Sequence, residues 1–318
     1  MGRQRHGELG QGTVPESERR ARIRIGPSGW SYPDWKGIVY PAGAGSRFDA
    51  LRYMSEYFDA IEVNTSFYRP PTPKTTRSWV RRVSDREGFR FAFKLWQRFT
   101  HERTEIDAGD VDAVRAGLDP VFEAGLLGCV LMQFPWSFRN TAESIDWLAS
   151  LAGRFGGYPL VAEVRHDSWD GREARARFAE IGVGICNIDQ PLLGRCLGPA
   201  AHATGRIGYV RFHGRRSDTW FAENARPSDR YDYLYGEGEL REWVGRIDSI
   251  ASQTDEVYVF TNNHYRGQAP ANALQLRAMM ENRKVSVPAE LAVHFRFLEQ
   301  ISAASVGDGW KDGMLFEI

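Results

Sequence analysis

Cysteine is scarce in this chain: Cys129, Cys186 and Cys196 are the only three in 318 residues. No two stand in a CxxC spacing, and two sit in apolar, strand-like runs. A disulfide framework and a cysteine-rich zinc site are therefore not expected, and the thiols read as buried and reduced in a cytoplasmic protein. An excess of charge of either sign is missing as well, since 41 Lys and Arg face 41 Asp and Glu. Bulk electrostatics thus gives no reason for unspecific attraction to nucleic acid or to a membrane. No apolar stretch approaches the roughly 20 residues of a membrane span. The polar residues 1–22 lack the apolar core of a secretory signal and read as a disordered tail. There is no GxGxxG, P-loop, GxSxG, HExxH or HxH, which weighs against dinucleotide-binding, phosphate-cradling, serine-hydrolase and zinc-peptidase chemistry.

What is present is a regular alternation. Apolar runs at Ile23–Gly26, Ala60–Asn64, Phe89–Leu95, Gly128–Phe134, Pro159–Val164, Val183–Ile188, Ile207–His213 and Val257–Asn262 are near-continuous. That pattern belongs to parallel strands covered on both faces. Amphipathic stretches at Arg47–Phe58, Asp110–Ala124, Ala142–Leu151, Arg172–Glu180, Glu239–Ala251 and Ala271–Glu281 read as helices. The sixth connection, around Leu192–Ala201, is short and helix-poor. Eight strand–helix units of this size predict a single-domain α/β protein, a (β/α)8 TIM barrel over residues 23–283. A doubly wound open sheet is the competing architecture, and it lacks its phosphate-binding turn here. Residues 284–318 read as a helical extension packed on the barrel or on another chain. Gly214–Gly238, rich in Trp and Tyr, reads as an ordered lid after the seventh strand.

In a barrel the chemistry gathers at the C-terminal ends of the strands. Seven of the eight runs end in ionisable or amide groups: Glu62 and Asn64, Lys94, Gln133, Glu163 with Arg165 and His166, Asn187 with Asp189, Arg211 with His213, and Asn262 with Asn263. The upstream part of each run reads as apolar. Burying such groups without partners costs several kcal/mol each, so they must meet one another, water or a ligand. Lys94, Arg165 and Arg211 suit an anion, with Asn64, Gln133, His166, Asn262, Asn263 and the loop aromatic Trp30 as further binding candidates. Glu62, Glu163, Asp189 and His213 are the candidates for proton transfer. The bland alternative is that Glu163–Arg165 and Glu62–Lys94 are closed ion pairs holding the mouth together. These carboxylates and histidines have the donor chemistry for a divalent metal, but no ligand motif supports one and the neighbouring cations compete for them.

Several segments resemble a known family. Ile25-Gly-Pro-Ser-Gly-Trp-Ser-Tyr-Pro-Asp-Trp35, Glu62-Val-Asn-Thr-Ser-Phe-Tyr68, Phe91-Ala-Phe-Lys94, Gln133-Phe-Pro135, Glu163-Val-Arg-His-Asp-Ser-Trp169, Tyr209-Val-Arg-Phe-His-Gly214 and Asn262-Asn-His264 occur in order along the chain. Together they resemble the YecE-like family, a bacterial and archaeal domain of unknown function. Pro27 and Val39 stand where that pattern has Thr and Phe. The resemblance implies a TIM barrel, similar in shape to the endonuclease IV and xylose-isomerase-like group, and no established reaction. The favoured expectation is an enzyme acting on a phosphorylated or otherwise anionic small substrate, or on nucleic acid. On that reading, removing charge at Lys94, Arg165 or Arg211 weakens binding and barely lowers stability. The alternatives are a carbohydrate-active hydrolase with a carboxylate pair and a non-catalytic barrel binding nucleic acid or protein. For nucleic acid, Arg215, Arg216, Arg226 and Arg230 form a local basic cluster. A membrane partner is not expected.

Overall fold

The computed structural model describes residues 21–218 and 231–303. Among them eight strands run parallel: β1 (Arg22–Pro27), β2 (Ala60–Val63), β3 (Arg90–Lys94), β4 (Leu127–Gln133), β5 (Leu160–Glu163), β6 (Gly184–Asp189), β7 (Ile207–Phe212) and β8 (Glu256–Thr261). Their order is β1-β8-β7-β6-β5-β4-β3-β2. The two ends of that order meet through a parallel bridge between Ser28 and Glu62, where the Gly29 N–H donates to the Glu62 carbonyl at 2.8 Å. The sheet thus rolls into a nearly closed barrel. Gly26 permits the seam, because a Cβ there would lie 1.8 Å from the Ala60 carbonyl oxygen.

Helices α1 (Ala50–Tyr57), α2 (Pro73–Val83), α3 (Ala108–Glu123), α4 (Ala142–Arg154), α5 (Arg172–Ile181), α6 (Glu237–Ala251) and α7 (Gln268–Glu281) cover the outside. Asp49, Thr72, Asp107 and Thr141 start four of them by accepting a backbone N–H three residues on, which satisfies a donor the helix cannot. Helix α2 has no counterpart in the apolar periodicity, because Arg77, Arg81 and Arg82 dominate it. Thr72 as cap and Pro73 in the first turn mark it instead. Between β6 and β7 no helix forms among the described residues. Pro191, Gly194, Gly198 and Pro199 crowd that stretch, and Gly194 adopts φ +54°, so helical hydrogen bonding is broken repeatedly.

The expectation that the upstream half of every strand is apolar fails at β1. Arg24, 1% exposed, fills the bottom of the barrel. It pairs with Glu256 at 3.0 Å and donates to the Gly88 carbonyl at 2.9 Å. Gly128 leaves room beside it for the Tyr258 ring, which a Cβ would meet at 2.7 Å. Above this plug the barrel interior is aromatic, with Tyr209 and Phe260 at 5.4 Å, and the polar residues return at the top. The chain continues past α7 into two short helices, α8 (Ala289–His294) and α9 (Leu298–Ile301). Leu291 and Leu298 are buried, so this segment packs on the barrel itself. The 1–20 tail, the 219–230 part of the expected lid with Trp220, Arg226 and Arg230, and residues 304–318 lie outside the described residues.

Candidate functional site

Alternation along β7 sends Tyr209, Arg211 and, just past its end, His213 to the barrel interior. Arg211 is fully buried. Its Nη2 donates to Glu62 Oε1 at 2.8 Å, and its Nη1 donates to Glu163 Oε2 at 2.5 Å and to Gln133 Oε1 at 2.8 Å. One guanidinium therefore ties together the ends of β2, β4 and β5. Glu62 also accepts from Ser28 Oγ and Tyr209 OH, each at 2.7 Å, and the Lys94 ammonium stands 3.7 Å from it. Glu163 accepts from Arg165 Nε at 2.8 Å and Nη2 at 2.7 Å. Burial alone would favour the neutral acids, but Arg211 and the other cations hold both carboxyls below the usual carboxylate range. Both are thus ionised in the fold, and Arg211 is held well above its ordinary value by the pair.

His213 lies 3.1 Å from Glu163 Oε1 through Nε2, while its Nδ1 faces the Asn262 amide at 3.1 Å. Burial pushes its pKa down to about 4, against the pull of Glu163. At neutral pH it is the neutral tautomer that donates from Nε2 and accepts at Nδ1. Lys94, at the end of β3, is 9% exposed. Burial first, and repulsion from Arg211 second, pull its ammonium down to about 7.

Above this cluster opens a cavity of about 510 Å³. Lys94, Asn64, Asn262, Ser31 and Thr65 supply polar groups; Trp30, Tyr32, Phe67, Tyr68, Trp79, Tyr231 and His264 supply its rings. Trp30 stands edge-on to Trp79 at 5.3 Å, and His264 stacks on Tyr32 at 4.5 Å. Asn64 donates to Tyr32 OH at 2.8 Å. Clefts of about 620 and 680 Å³ lie elsewhere, one beside α6 and α7 and one at the opposite end of the barrel. Neither contains a strand-end residue of the cluster.

Of the residues expected from the sequence, Glu62, Lys94, Gln133, Glu163, Arg165, Arg211, His213 and Asn262 are brought together, and Asn64 and Trp30 line the cavity above them. Three are not. The Asp189 carboxylate accepts from Arg215 at 2.9 and 2.7 Å, Tyr235 OH at 2.8 Å and Trp243 Nε1 at 2.7 Å. That set fastens the segment after β7 to α6. Asn263 donates to the Tyr233 carbonyl and to Asn272 Oδ1, each at 2.8 Å, and so clamps the returning chain against α7. His166 turns away from the cluster, accepting the Ser168 N–H at 3.0 Å beside the Trp136 ring. Ser28 and Tyr209, the hydroxyl partners of Glu62, were legible only as strand phase: Tyr209 lies two residues before Arg211. Phe67, Tyr68 and Tyr32 sit in short loops whose direction periodicity does not report. Among the described residues no group of three or more His, Cys, Asp or Glu side chains is arranged to hold a metal, and no helix is long and apolar enough to cross a membrane.

Fold and strand ends together define a (β/α)8-barrel protein with a buried ionic cluster under an aromatic mouth. A family model described as "Protein of unknown function DUF72" matches residues 24–293, and the chain belongs to that family. It is 29% identical over 273 residues to the UPF0759 protein YunF of Bacillus subtilis, covering 81% of this chain and 95% of that one. It is 28% identical over 174 residues to the UPF0759 protein YecE of Escherichia coli, covering 54% of this chain and 58% of that one. A crystal structure of a DUF72 family protein from Thermotoga maritima superposes with a TM-score of 0.72 at 30% identity, over 82% of this chain and 99% of that one. A second DUF72 structure, from Enterococcus faecalis, shares the fold with a TM-score of 0.71 at 23% identity, over 81% and 95% of the two chains.

Proposed function

We propose that this barrel is an enzyme acting on a small anionic substrate with a flat ring, held in the aromatic cavity over the ionic cluster. One observation carries the reading. Among the described residues, the carboxylates Glu62 and Glu163 are matched by the guanidiniums of Arg211 and Arg165, which leaves the Lys94 ammonium as surplus charge at the cavity floor. Charge left over in a low-dielectric pocket favours an anion. The anion site thus narrows from the three cations expected to Lys94, since Arg165 and Arg211 are committed to carboxylates. The cavity has the size of a small-ligand pocket and is walled by rings that stack on planar groups.

The carbohydrate-hydrolase reading loses support at the same cluster. A two-carboxylate mechanism needs one acid kept protonated by a raised pKa, and both carboxyls here are lowered. The nucleic-acid reading loses part of its basis, because Arg215 pairs with Asp189 and Glu239, and Arg216 with Asp218 and Asp232.

A thermal-shift panel of ring compounds bearing phosphate or carboxylate, each beside its uncharged analogue, tests the reading. A ligand at 100 times its dissociation constant adds about 2.7 kcal/mol of stability. The anionic members should raise the melting temperature of the wild type and leave Lys94→Met unmoved. A shift from the uncharged members alone would overturn the proposal.

A further inference from the structure

We infer that Lys94 is an amine nucleophile, condensing with a carbonyl carbon of the bound substrate to form an imine on the cavity floor. The inference rests on reading the cavity as the substrate site and goes on to name the reactive group of the substrate, an aldehyde or ketone.

The choice of side chain is the first support. The chain contains five lysines, Lys36, Lys74, Lys94, Lys284 and Lys311, among 41 basic residues; arginine does the rest of the work. Arginine keeps its proton at any ordinary pH, whereas lysine gives it up readily when buried. A fixed positive charge beside Glu62 is already supplied by Arg211. The one lysine in the ionic cluster therefore stands where arginine would serve equally well as a charge and would fail as a nucleophile.

Geometry is the second support. Lys94 lines the cavity and is 9% exposed. Its nitrogen lies 3.7 Å from Glu62 Oε1, beyond hydrogen-bond reach, and 5.9 Å from the centre of the Phe67 ring. The charged groups acting on it are Glu62 from β2, Arg211 from β7, and Glu163 and Arg165 at the end of β5. Desolvation and Arg211 together bring it to about 7, so near neutrality about half of it carries a free lone pair. An exposed lysine near 10.4 has roughly one molecule in a few thousand in that state. Depressed amines in apolar pockets are the ones that attack carbonyls.

The step balances without an external oxidant or reductant. The nitrogen lone pair adds to the carbonyl carbon, and the carbon–oxygen π bond opens onto oxygen. The two protons of the neutral amine leave with that oxygen as one water, which gives C=N. Protonation of the imine nitrogen from solvent then restores a cation 3.7 Å from Glu62, so the surplus charge that draws an anion survives the condensation.

Pyridoxal 5′-phosphate joins a ring, an anion and an aldehyde and serves as the probe. Pyridoxine 5′-phosphate, which has an alcohol in place of the aldehyde, is its non-reactive partner. The full chain is treated with pyridoxal 5′-phosphate at pH 7 and reduced with borohydride, and the adducts are located by peptide mapping. The expected result is an adduct at Lys94 ahead of the exposed Lys36, Lys74 and Lys284. Lys94→Arg should lose that adduct while keeping the melting shift given by pyridoxine 5′-phosphate. Labelling confined to other lysines, with the pyridoxine 5′-phosphate shift intact, overturns the imine and leaves the anion site standing. No shift with pyridoxine 5′-phosphate and no adduct at Lys94 overturns both.

Discussion

The Arg211 guanidinium and the Glu163 carboxylate meet at 2.5 Å with both side chains fully buried. Neither ion can be hydrated, so each is tolerated only because the other is there. Replacing Arg211 by Met should therefore destabilise the fold by about 3–5 kcal/mol, the cost of an uncompensated buried charge. This reverses the sequence-based expectation that removing charge here barely lowers stability. Urea unfolding at pH 7 measures it, and adding Glu163→Gln to Arg211→Met should recover part of the loss. A cost below about 1 kcal/mol would mean that water reaches the cluster.

Lys94 should behave in the opposite way. Its ammonium is buried with a folded value near 7, against about 10.4 in an unfolded chain. Between those values the unfolded chain binds more protons, so the wild type should gain stability as pH rises from 7 towards 10. Lys94→Met should lose that slope. At pH 7 it should be as stable as the wild type or up to about 4 kcal/mol more stable, since the depressed ammonium costs the fold about 1.4 kcal/mol per pH unit of that gap and Glu62 keeps Arg211 as its partner. Melting curves of both proteins at pH 7 and pH 9.5 decide it.

His213 sets a second pH window. It stays neutral in the fold down to about 4, while an unfolded histidine takes its proton near 6.5. Between those values the unfolded chain again binds the extra proton, so stability falls as pH drops from 6.5 to 4, by up to about 3 kcal/mol. Glu62 and Glu163 are depressed carboxyls, so their contribution is intact above about 4.3 and is lost only at lower pH. His213→Gln should lessen the fall in melting temperature between pH 6.5 and 4.5 without removing it, because burial also pushes His101 down to about 4 and lowers His166, His202 and His264. An unchanged slope in that variant would mean another group carries it.

Asp189 is where a carboxylate expected to be catalytic has its bonding positions filled by the scaffold. Asp189→Asn should cost about 1–3 kcal/mol, because Tyr235 and Trp243 lose a charged acceptor in the interior, while Arg215 keeps Glu239 and Glu242. Any ligand found for the cavity should still bind with unchanged affinity at a temperature where the variant is folded. Isothermal titration beside a melting curve separates the two roles.

The residues legible in the sequence were those whose signal is local. Near-continuous apolar runs located all eight strands, and polar residues at their ends marked Glu62, Lys94, Glu163 and Arg211 as neighbours. Pairing was not legible. Whether Arg211 would reach a ligand or two carboxylates depends on the distance across the barrel, which strand phase does not report. Asp189 carried the same strand-end signal as Glu163, and only the positions of Tyr235 and Trp243, 46 and 54 residues further on, separate their roles. Helix α2 escaped because its buried face is narrow, whereas the helix-poor reading of the connection after β6 holds because Pro191, Gly194, Gly198 and Pro199 interrupt it.

The two fastenings around the seventh connection have a consequence for how this architecture can vary. Asp189 grips Arg215 where the chain leaves β7, and Asn272 holds the Tyr235 N–H at 3.0 Å and its carbonyl at 3.0 Å where the chain returns. The departing and returning ends are thus held by separate elements, the end of β6 and helix α7, so a substitution that loosens one anchor leaves the other intact. The architecture can therefore change at one end of this connection at a time.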